Sequence, residues 1–360
     1  MSNILSIGTA VPAFKHQQDE ILDFMQSVYA LGEGEKRKLR FLYRQCGIET
    51  RYSVIPDYSL PAAQWRFFTP SESLEPFAKL EKRMKWYREF AAPLSLEAIG
   101  NCMEKFPSQK ITHLITVSCT GMSAPGLDLE LLELLGLPAT TFRTSVNFMG
   151  CYAAIHALKM ADAFCRSDPR ANVLIVCTEL CTLHFQKEYT TDNITSSLLF
   201  SDGAAAILIT GDREVDGLKI DHFYSTVLPK GKKDMTWELS SRGFQMTLSG
   251  YVSDLIEADF EQLVSKALAS GDIAKEEITD WCIHPGGKKI LEAVQKSLQL
   301  PEGSLRQSYS VLKDFGNMSS ATVLFVLAEM MASPASDKSR KIFGAAFGPG
   351  LTMETFILSS

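Results

Sequence analysis

Three residues that lie far apart in this sequence have side chains that could act together on an acyl group: Cys151, His284 and Asn317. A cysteine thiolate attacks a carbonyl carbon, a histidine takes up the thiol proton or pairs with the thiolate, and an amide N–H stabilises charge on the carbonyl oxygen. A cysteine in an apolar stretch is usually a small buried hydrophobe. The histidine and the asparagine, each in a loop motif of its own, single out Cys151 from the other seven cysteines.

Cys151 follows a glycine and precedes apolar residues at helical spacing, among them Tyr152, Ile155 and Leu158. This pattern predicts that Cys151 lies in the first turn of a buried helix. Free backbone N–H groups and the positive end of the helix dipole favour a thiolate there. We therefore expect a nucleophile that is active at neutral pH.

His284 and Asn317 stand at the ends of predicted elements. His284 follows an apolar strand and precedes Pro285-Gly286-Gly287, a loop in which backbone could approach a ligand closely. Asn317 follows Gly316 at a helix start, where its amide could donate to a ligand or simply cap the helix. A second donor beside His284 for a thioester oxygen explains Asn317 better than a cap alone.

Composition excludes several classes of protein. The 360 residues are 46% hydrophobic and 22% charged, with a net charge of −6, which is typical of a globular chain and argues against a nucleic-acid partner. No apolar run is long enough for a membrane span and the first residues carry no signal-peptide pattern, so we expect a cytoplasmic protein without membrane contact. The eight scattered cysteines predict reduced thiols and no metal site.

The elements that must position these side chains are those of an α/β protein. Residues 111–117 and 173–177 are continuous apolar runs between helical segments, a pattern that favours a mainly parallel sheet covered on both faces. Three segments also recur once in the same order. The matched pairs are 111–121 with 278–287, 150–158 with 316–324, and 200–208 with 347–355. We predict two similar halves, 1–213 with the cysteine and 214–360 with the histidine and asparagine.

Four motifs closely resemble the type III polyketide synthases, the chalcone-synthase-like branch of the thiolase superfamily. They are Gly150-Cys151, Ile283-His284-Pro285-Gly286-Gly287, Phe315-Gly316-Asn317-Met318-Ser319-Ser320, and Phe347-Gly348-Pro349-Gly350-Leu351-Thr352-Met353-Glu354. Ala346 stands where the last motif of the family begins with glycine. The resemblance spans essentially the whole chain.

The resemblance implies a thiolase-like five-layered αβαβα fold in a homodimer and iterative condensation of malonyl-CoA onto an acyl-CoA starter. It implies no tightly bound cofactor, only coenzyme A thioesters as substrates. Cys151 would hold the starter and the growing chain. His284 would pair with it and, with Asn317, stabilise the enolate formed when malonyl-CoA loses carbon dioxide. The chain would then cyclise to a pyrone or resorcinol-type product.

The resemblance also assigns residues to the reaction cavity and to coenzyme A. Phe200 and Met246 match the gatekeeper positions. Six further residues match cavity-lining positions: Cys119, Thr120, Ala124, Cys181, His184 and Ser319. The expected coenzyme A ligands are Arg51, Gly286, Gly287 and Lys289, although the lysine also fits a solvated surface role.

Two departures from the plant enzymes bear on the substrate. Ala124 replaces a methionine that reaches across from the dimer partner, which would open space for a long alkyl starter. His184 is larger than its counterpart and should narrow the cavity or hydrogen-bond the polyketide. We therefore expect a fatty-acyl starter, few extensions, and an alkylpyrone or alkylresorcinol.

Other functions also fit these residues. A ketoacyl synthase of the fatty-acid initiation type would condense once with a carrier-bound malonyl group. A sensor would bind acyl-CoA without turnover, and a cysteine hydrolase would release free acid. Cysteine proteases combine Cys, His and Asn too, but they depend on a different signature around the thiol and need no duplicated scaffold.

Overall fold

The computed structural model describes residues 2–71, 73–106, 110–333 and 339–360. The strands are β1 (Asn3–Ala10), β2 (Phe14–Gln17), β3 (Thr50–Ser53), β4 (His113–Ser118), β5 (Phe142–Asn147), β6 (Asn172–Leu180), β7 (Asp202–Thr210), β8 (Leu218–Val227), β9 (Met235–Ser240), β10 (Gly243–Leu248), β11 (Asp280–Ile283), β12 (Lys341–Gly348) and β13 (Thr352–Ser359). The α-helices are α1 (Gln18–Val28), α2 (Glu33–Gln45), α3 (Leu80–Met103), α4 (Leu127–Leu134), α5 (Ala153–Ser167), α6 (Thr191–Leu199), α7 (Tyr251–Ser270), α8 (Lys288–Ser297), α9 (Arg306–Phe315) and α10 (Thr322–Ala332). None of the described helices is long and apolar enough to cross a bilayer.

Nine strands form one sheet in the order β11-β12-β13-β8-β1-β7-β6-β4-β5. The pairs β4–β5, β4–β6 and β11–β12 are parallel, whereas the other five pairs are antiparallel. The prediction of a mainly parallel sheet is therefore wrong. A continuous apolar run reports burial on both faces and carries no information about strand direction.

The strand pairing repeats along the chain. In the first part β4 is parallel to β6, β6 antiparallel to β7, and β7 antiparallel to β1. In the second part β11 is parallel to β12, β12 antiparallel to β13, and β13 antiparallel to β8. The two arrangements join where Asn3 and Ile4 of β1 pair with β8.

Two hydrophobic cores lie on opposite faces of this sheet. Ile115, Val117 and Ile175 point into a core that also receives β12 and β13 of the second part and the buried faces of α5 and α10. Their neighbours Leu114 and Leu174 point into an outer core with α3. Since successive side chains of a strand alternate between faces, residues 114–115 of β4 and 173–177 of β6 are apolar on both faces. The first half of the sheet carries α3 on its outer face, the second half carries α7 and α8, and α5 and α10 lie between the two halves. This arrangement gives the five layers of the predicted fold.

Candidate active site

Cys151 lies in a 3-10 turn, Gly150–Tyr152, that leads directly into α5. Gly150 has φ +79°, and a Cβ there would lie 2.2 Å from Cδ of Pro349, so only glycine fits this approach. The Gly150 N–H donates to Sγ of Cys119 at 2.9 Å. The predicted helix start is found, and the tight turn turns the thiol towards a cavity.

The electrostatics of Cys151 differ from the sequence-based expectation. Burial raises the pKa of its thiol to about 12, and the nearby Glu179 acts in the same direction. Hydrogen bonds with Ser319 and Asn317 oppose this shift but do not cancel it. Removal from water outweighs the helix start, because the charged form loses its hydration. In this structure Cys151 is a neutral thiol that needs a base.

Asn317 contacts the nucleophile directly. Oδ1 of Asn317 is 4.0 Å from Sγ of Cys151 and also accepts the Ser319 N–H at 2.8 Å and the Thr322 hydroxyl at 3.4 Å. These contacts fix the amide, so Nδ2 must point the other way, towards the carbonyl of Gly286 at 3.4 Å. Asn317 thus accepts from the first residue of the 3-10 turn Ser319–Ala321 and also presents a weakly engaged N–H group.

His284 directly follows β11, and its backbone N–H donates to the Ala345 carbonyl at 2.8 Å. The side chain is 1% exposed, and neither ring nitrogen has a hydrogen-bond partner among the described residues. Burial lowers the pKa of the ring to about 3. A neutral imidazole with two unsatisfied nitrogens is costly to bury, and such groups mark functional sites.

A cavity of about 930 Å³, its open mouth included, adjoins Cys151. Of the residues predicted to surround it, those that line it are Phe200, Met246, Cys119, Thr120, Cys181, His184 and Ser319. His284 and Asn317 are not part of this wall. Asn317 nevertheless connects the histidine loop to the cavity wall, because its amide contacts both Cys151 and the Gly286 backbone of that loop.

Ala124 does not line this cavity. It lies in the exposed loop before α4, next to Met122, which is 44% exposed. Within one chain, therefore, its small side chain opens no space beside Cys151. The effect that we predicted for Ala124 requires a partner subunit that brings this loop to the site.

His184 narrows the cavity but does not offer hydrogen bonds to a ligand. Its Nε2–H donates to the Thr120 carbonyl at 2.7 Å, and its Nδ1 accepts the Phe244 N–H at 3.0 Å. Its ring stacks on Phe244 with centroids 4.2 Å apart. Burial and the nearby Arg83 charge lower the pKa of His184 to about 3. The alternative that it hydrogen-bonds the polyketide is wrong, because both nitrogens are already used.

Trp237 is a cavity residue that the sequence did not reveal. It lies on β9, and its Nε1–H donates to the Cys119 carbonyl at 2.7 Å. Its ring packs edge-on against His184 and Phe244. The β9–β10 hairpin carries polar and apolar residues without a clear pattern, so the only signal was the tryptophan itself.

Glu179 is a second residue that sequence reasoning missed. It is fully buried near the end of β6 and accepts hydrogen bonds from Cys119 N–H (2.9 Å), the Thr120 hydroxyl (2.8 Å) and the Ser320 hydroxyl (2.5 Å). Burial raises its pKa to about 7, against these three donors. Glu179 ties the loop after β4 to the turn that carries Asn317.

The predicted coenzyme A ligands lie in different environments. Arg51 lines the cavity, although it is only 4% exposed. Gly286 and Gly287 follow His284 without lining the cavity, and Lys289 is exposed on α8. The role of these four residues stays a prediction.

All eight cysteines are free thiols. Within the described ranges, no cluster of three or more His, Cys, Asp or Glu side chains is arranged as metal ligands. Three of the thiols, Cys119, Cys151 and Cys181, line the same cavity. Among these three, only Cys151 contacts an asparagine amide.

Two family models together match nearly the whole chain. The model of the N-terminal domain of chalcone and stilbene synthases matches residues 1–213, and that of the C-terminal domain matches residues 219–360. A type III polyketide synthase A of Arabidopsis thaliana is 28% identical over 100% of this chain and 93% of its own length. A Dictyostelium discoideum protein named as a polyketide synthase is also 28% identical over the whole chain, which spans only 11% of that protein.

A solved structure agrees with these matches. The C-terminal type III polyketide synthase domain of Steely1, a type I/III hybrid from Dictyostelium, superposes with a TM-score of 0.90 at 27% identity. The superposition covers 100% of this chain and 99% of that one. The predicted thiolase-like fold is confirmed.

Proposed function

Since the chain belongs to the chalcone and stilbene synthase family of type III polyketide synthases, we propose that it loads an acyl-CoA starter on Cys151 and extends it with malonyl-CoA. The observation that carries this proposal is the contact between Cys151, which faces a cavity, and the fixed amide of Asn317. The same amide adjoins the loop of His284, whose ring nitrogens have no hydrogen-bond partner in the described part of the chain.

In the loading step, the neutral thiol of Cys151 gives its proton to His284 as the sulfur attacks the thioester carbonyl of the starter. The carbon–sulfur bond to coenzyme A breaks, and the leaving thiolate takes the proton back from the imidazolium. Burial lowers the pKa of the His284 ring to about 3 and raises that of the Cys151 thiol to about 12, so the proton moves only as the new carbon–sulfur bond forms and returns at once to the leaving thiolate. The products are an acyl-Cys151 thioester and free coenzyme A.

In the extension step, malonyl-CoA loses carbon dioxide and leaves an enolate, whose oxygen receives hydrogen bonds from Asn317 Nδ2 and a His284 N–H. Preorganised donors in a site without water stabilise developing charge well. An aspartate at 317 would repel that charge. The enolate carbon then attacks the acyl group on Cys151, and the thiolate leaves.

The cavity supports short products. His184, Trp237 and Phe244 form an aromatic wall of the cavity that Cys151 also lines, fixed by hydrogen bonds to Thr120 and Cys119. Such a wall limits the number of extensions before the chain cyclises to a pyrone or resorcinol. Within one chain, the placement of Ala124 outside the cavity does not favour the predicted fatty-acyl starter. An assay with starters of graded chain length identifies the starter.

The proposed enzyme is a homodimer that pairs through β5. This strand ends the sheet and, among the described strands, is bonded to β4 alone. Phe142 is 55% exposed on it, and Leu134 (55%) and Met122 (44%) lie on the adjoining α4 and loop. An unpaired apolar edge is protected when a second copy covers it.

The proposal also includes the division into halves 1–213 and 214–360, which the repeated strand pairing supports. It further includes a cytoplasmic location, where thiols stay reduced.

The test is an assay of the purified protein with malonyl-CoA and acyl-CoA starters of graded chain length, read by carbon dioxide release and product mass. We expect turnover without carrier protein and a cyclic product extended by one or more malonyl-derived units. Strict dependence on acyl carrier protein with a linear product would instead indicate a ketoacyl synthase. Release of free acid without malonyl-CoA would indicate a hydrolase.

A further inference from the structure

Arg51 is a buried cation that pairs with no carboxylate among the described residues. Its side chain is 4% exposed on β3. Nε donates to Oε1 of Gln18 at 2.8 Å and Nη1 to the Phe200 carbonyl at 2.7 Å, while Nη2 has no partner within the described part of the chain. Guanidinium groups are rarely buried without a counter-ion. Burying the Arg51 charge in this way lowers the stability of the fold, so we expect the residue to have a functional role.

The Phe200 carbonyl, which accepts the Arg51 hydrogen bond, belongs to the segment that pairs with the Asn317 backbone. Phe200 and Asn317 form an isolated parallel bridge: the Asn317 N–H donates to the Leu199 carbonyl and the Ser201 N–H to the Asn317 carbonyl, both at 2.9 Å. Phe200 stands between the two residues that make these bonds. The Arg51 hydrogen bond therefore fixes the segment on which the Asn317 backbone rests.

The aliphatic part of Arg51 fixes Asn317 from a second side. A Cβ on Gly316, which has φ +70°, would lie 3.0 Å from Cγ of Arg51. The Arg51 stem thus packs on the residue directly before Asn317. Gln18, which orients the guanidinium, also donates from Nε2 to the Leu198 carbonyl at 3.0 Å. Both contacts stabilise the backbone pairing between the end of α6 and Asn317.

We infer that Arg51 is a positioning residue that holds the Asn317 amide in line for decarboxylation through Phe200 and Gly316, rather than a ligand for the phosphates of coenzyme A. This inference rests on the proposed function. Without the guanidinium, the Phe200 carbonyl loses its donor and the Asn317 backbone gains freedom. The enolate oxygen then meets a less ordered donor, while the affinity for the thioester is kept.

The test compares malonyl-CoA with the N-acetylcysteamine thioester of malonate, which lacks every phosphate. Decarboxylation by the wild type, Arg51→Met and Arg51→Lys is measured with both substrates, with Arg170→Met, a substitution of an exposed arginine, as the matched control. We expect Arg51→Met to lower kcat about 10-fold or more with both substrates at little-changed KM. Arg51→Lys, which keeps one charged donor for the Phe200 carbonyl, should restore part of the loss, and Arg170→Met should match the wild type.

The opposite pattern overturns the inference. A rise in KM for malonyl-CoA alone, with the truncated substrate unaffected, would make Arg51 a phosphate ligand, and unchanged kinetics with both would leave it without a role. If Arg51→Met does not fold, Gln18→Leu takes its place, because Gln18 holds Nε outside the cavity wall. It should lower kcat with both substrates, and an unchanged kcat would contradict the inference. A wild type that decarboxylates neither substrate refutes the proposed function instead.

Discussion

Sγ of Cys151 and Oδ1 of Asn317 lie 4.0 Å apart although 166 positions separate the two residues in the chain. Each follows a glycine with positive φ, Gly150 at +79° and Gly316 at +70°. These glycines let two tight turns, one before α5 and one after α9, approach each other. The contact places a thiol beside an amide whose N–H group faces the histidine loop, and it is the geometric basis of the proposed chemistry.

Asn317→Asp should abolish decarboxylation of malonyl-CoA. A carboxylate at this position faces the developing enolate charge and removes a donor, and loss of one such donor costs about 100-fold or more in rate. Carbon dioxide release from malonyl-CoA, measured at saturating substrate, checks the prediction. Mass measurement of starter loading on Cys151 is the control, since loading does not require the Asn317 N–H. Release within threefold of the wild-type rate would show that Asn317 is not the donor.

Glu179→Gln should weaken the dependence of stability on pH. Because burial raises the pKa of Glu179 from 4.5 to about 7, the native state favours the protonated acid. That stabilisation is present below pH 4.5, is lost as the pH rises through 7, and amounts to about 3 kcal/mol at most. The neutral amide avoids the loss. We expect the Tm of the wild type to fall by several degrees more than that of the variant between pH 5.5 and 8.5, whereas parallel curves would contradict the assignment.

Trp237→Leu should lengthen the product. The smaller side chain removes part of the aromatic wall and the hydrogen bond to the Cys119 carbonyl, so the chain has room for further extension before it cyclises. Product mass spectra should shift towards species with additional two-carbon units. Leu239→Ala, at a 57% exposed position on the same strand, is the matched control and should leave the spectrum unchanged. An unaltered product distribution for Trp237→Leu would mean that this wall does not set the chain length.

Phe142→Asp should convert a dimer into a monomer. A charge at this exposed edge position of β5 would be buried against a second copy without a partner, which disfavours association. Light scattering after size exclusion should give twice the 39.9 kDa chain mass for the wild type and the single mass for the variant. Leu239→Asp, at an exposed position of the separate β9–β10 sheet, should remain dimeric. A monomeric wild type would refute the proposed assembly.

Part of this architecture could be predicted from the sequence because particular residues report it. Gly150 and Gly316 mark backbone conformations that other residues avoid, and the apolar runs of β4 and β6 report burial on both faces. Strand direction could not be predicted, because an antiparallel strand such as β7, buried along its whole length, has the same pattern as a parallel one.

The sequence revealed less about the electrostatics and the cavity wall. The helix start at Cys151 predicts a thiolate, yet burial raises the pKa of the thiol. This burial comes from elements that are distant in the chain, so the spacing of nearby residues does not predict it. Glu179 and Trp237 meet Cys119 only in the folded chain. The sequence suggests that His184 could hydrogen-bond a ligand, but in the folded chain both ring nitrogens are bonded to backbone groups of Thr120 and Phe244.

The central claim is that Cys151 carries the acyl chain, and the mass of the intact protein tests it most directly. After incubation with an acyl-CoA starter and no malonyl-CoA, the wild type should gain the mass of one acyl group. Proteolysis should locate that group on the peptide that contains Cys151, and Cys151→Ala should gain nothing. An adduct that persists in Cys151→Ala, or none on a wild type that still forms product, would contradict the account.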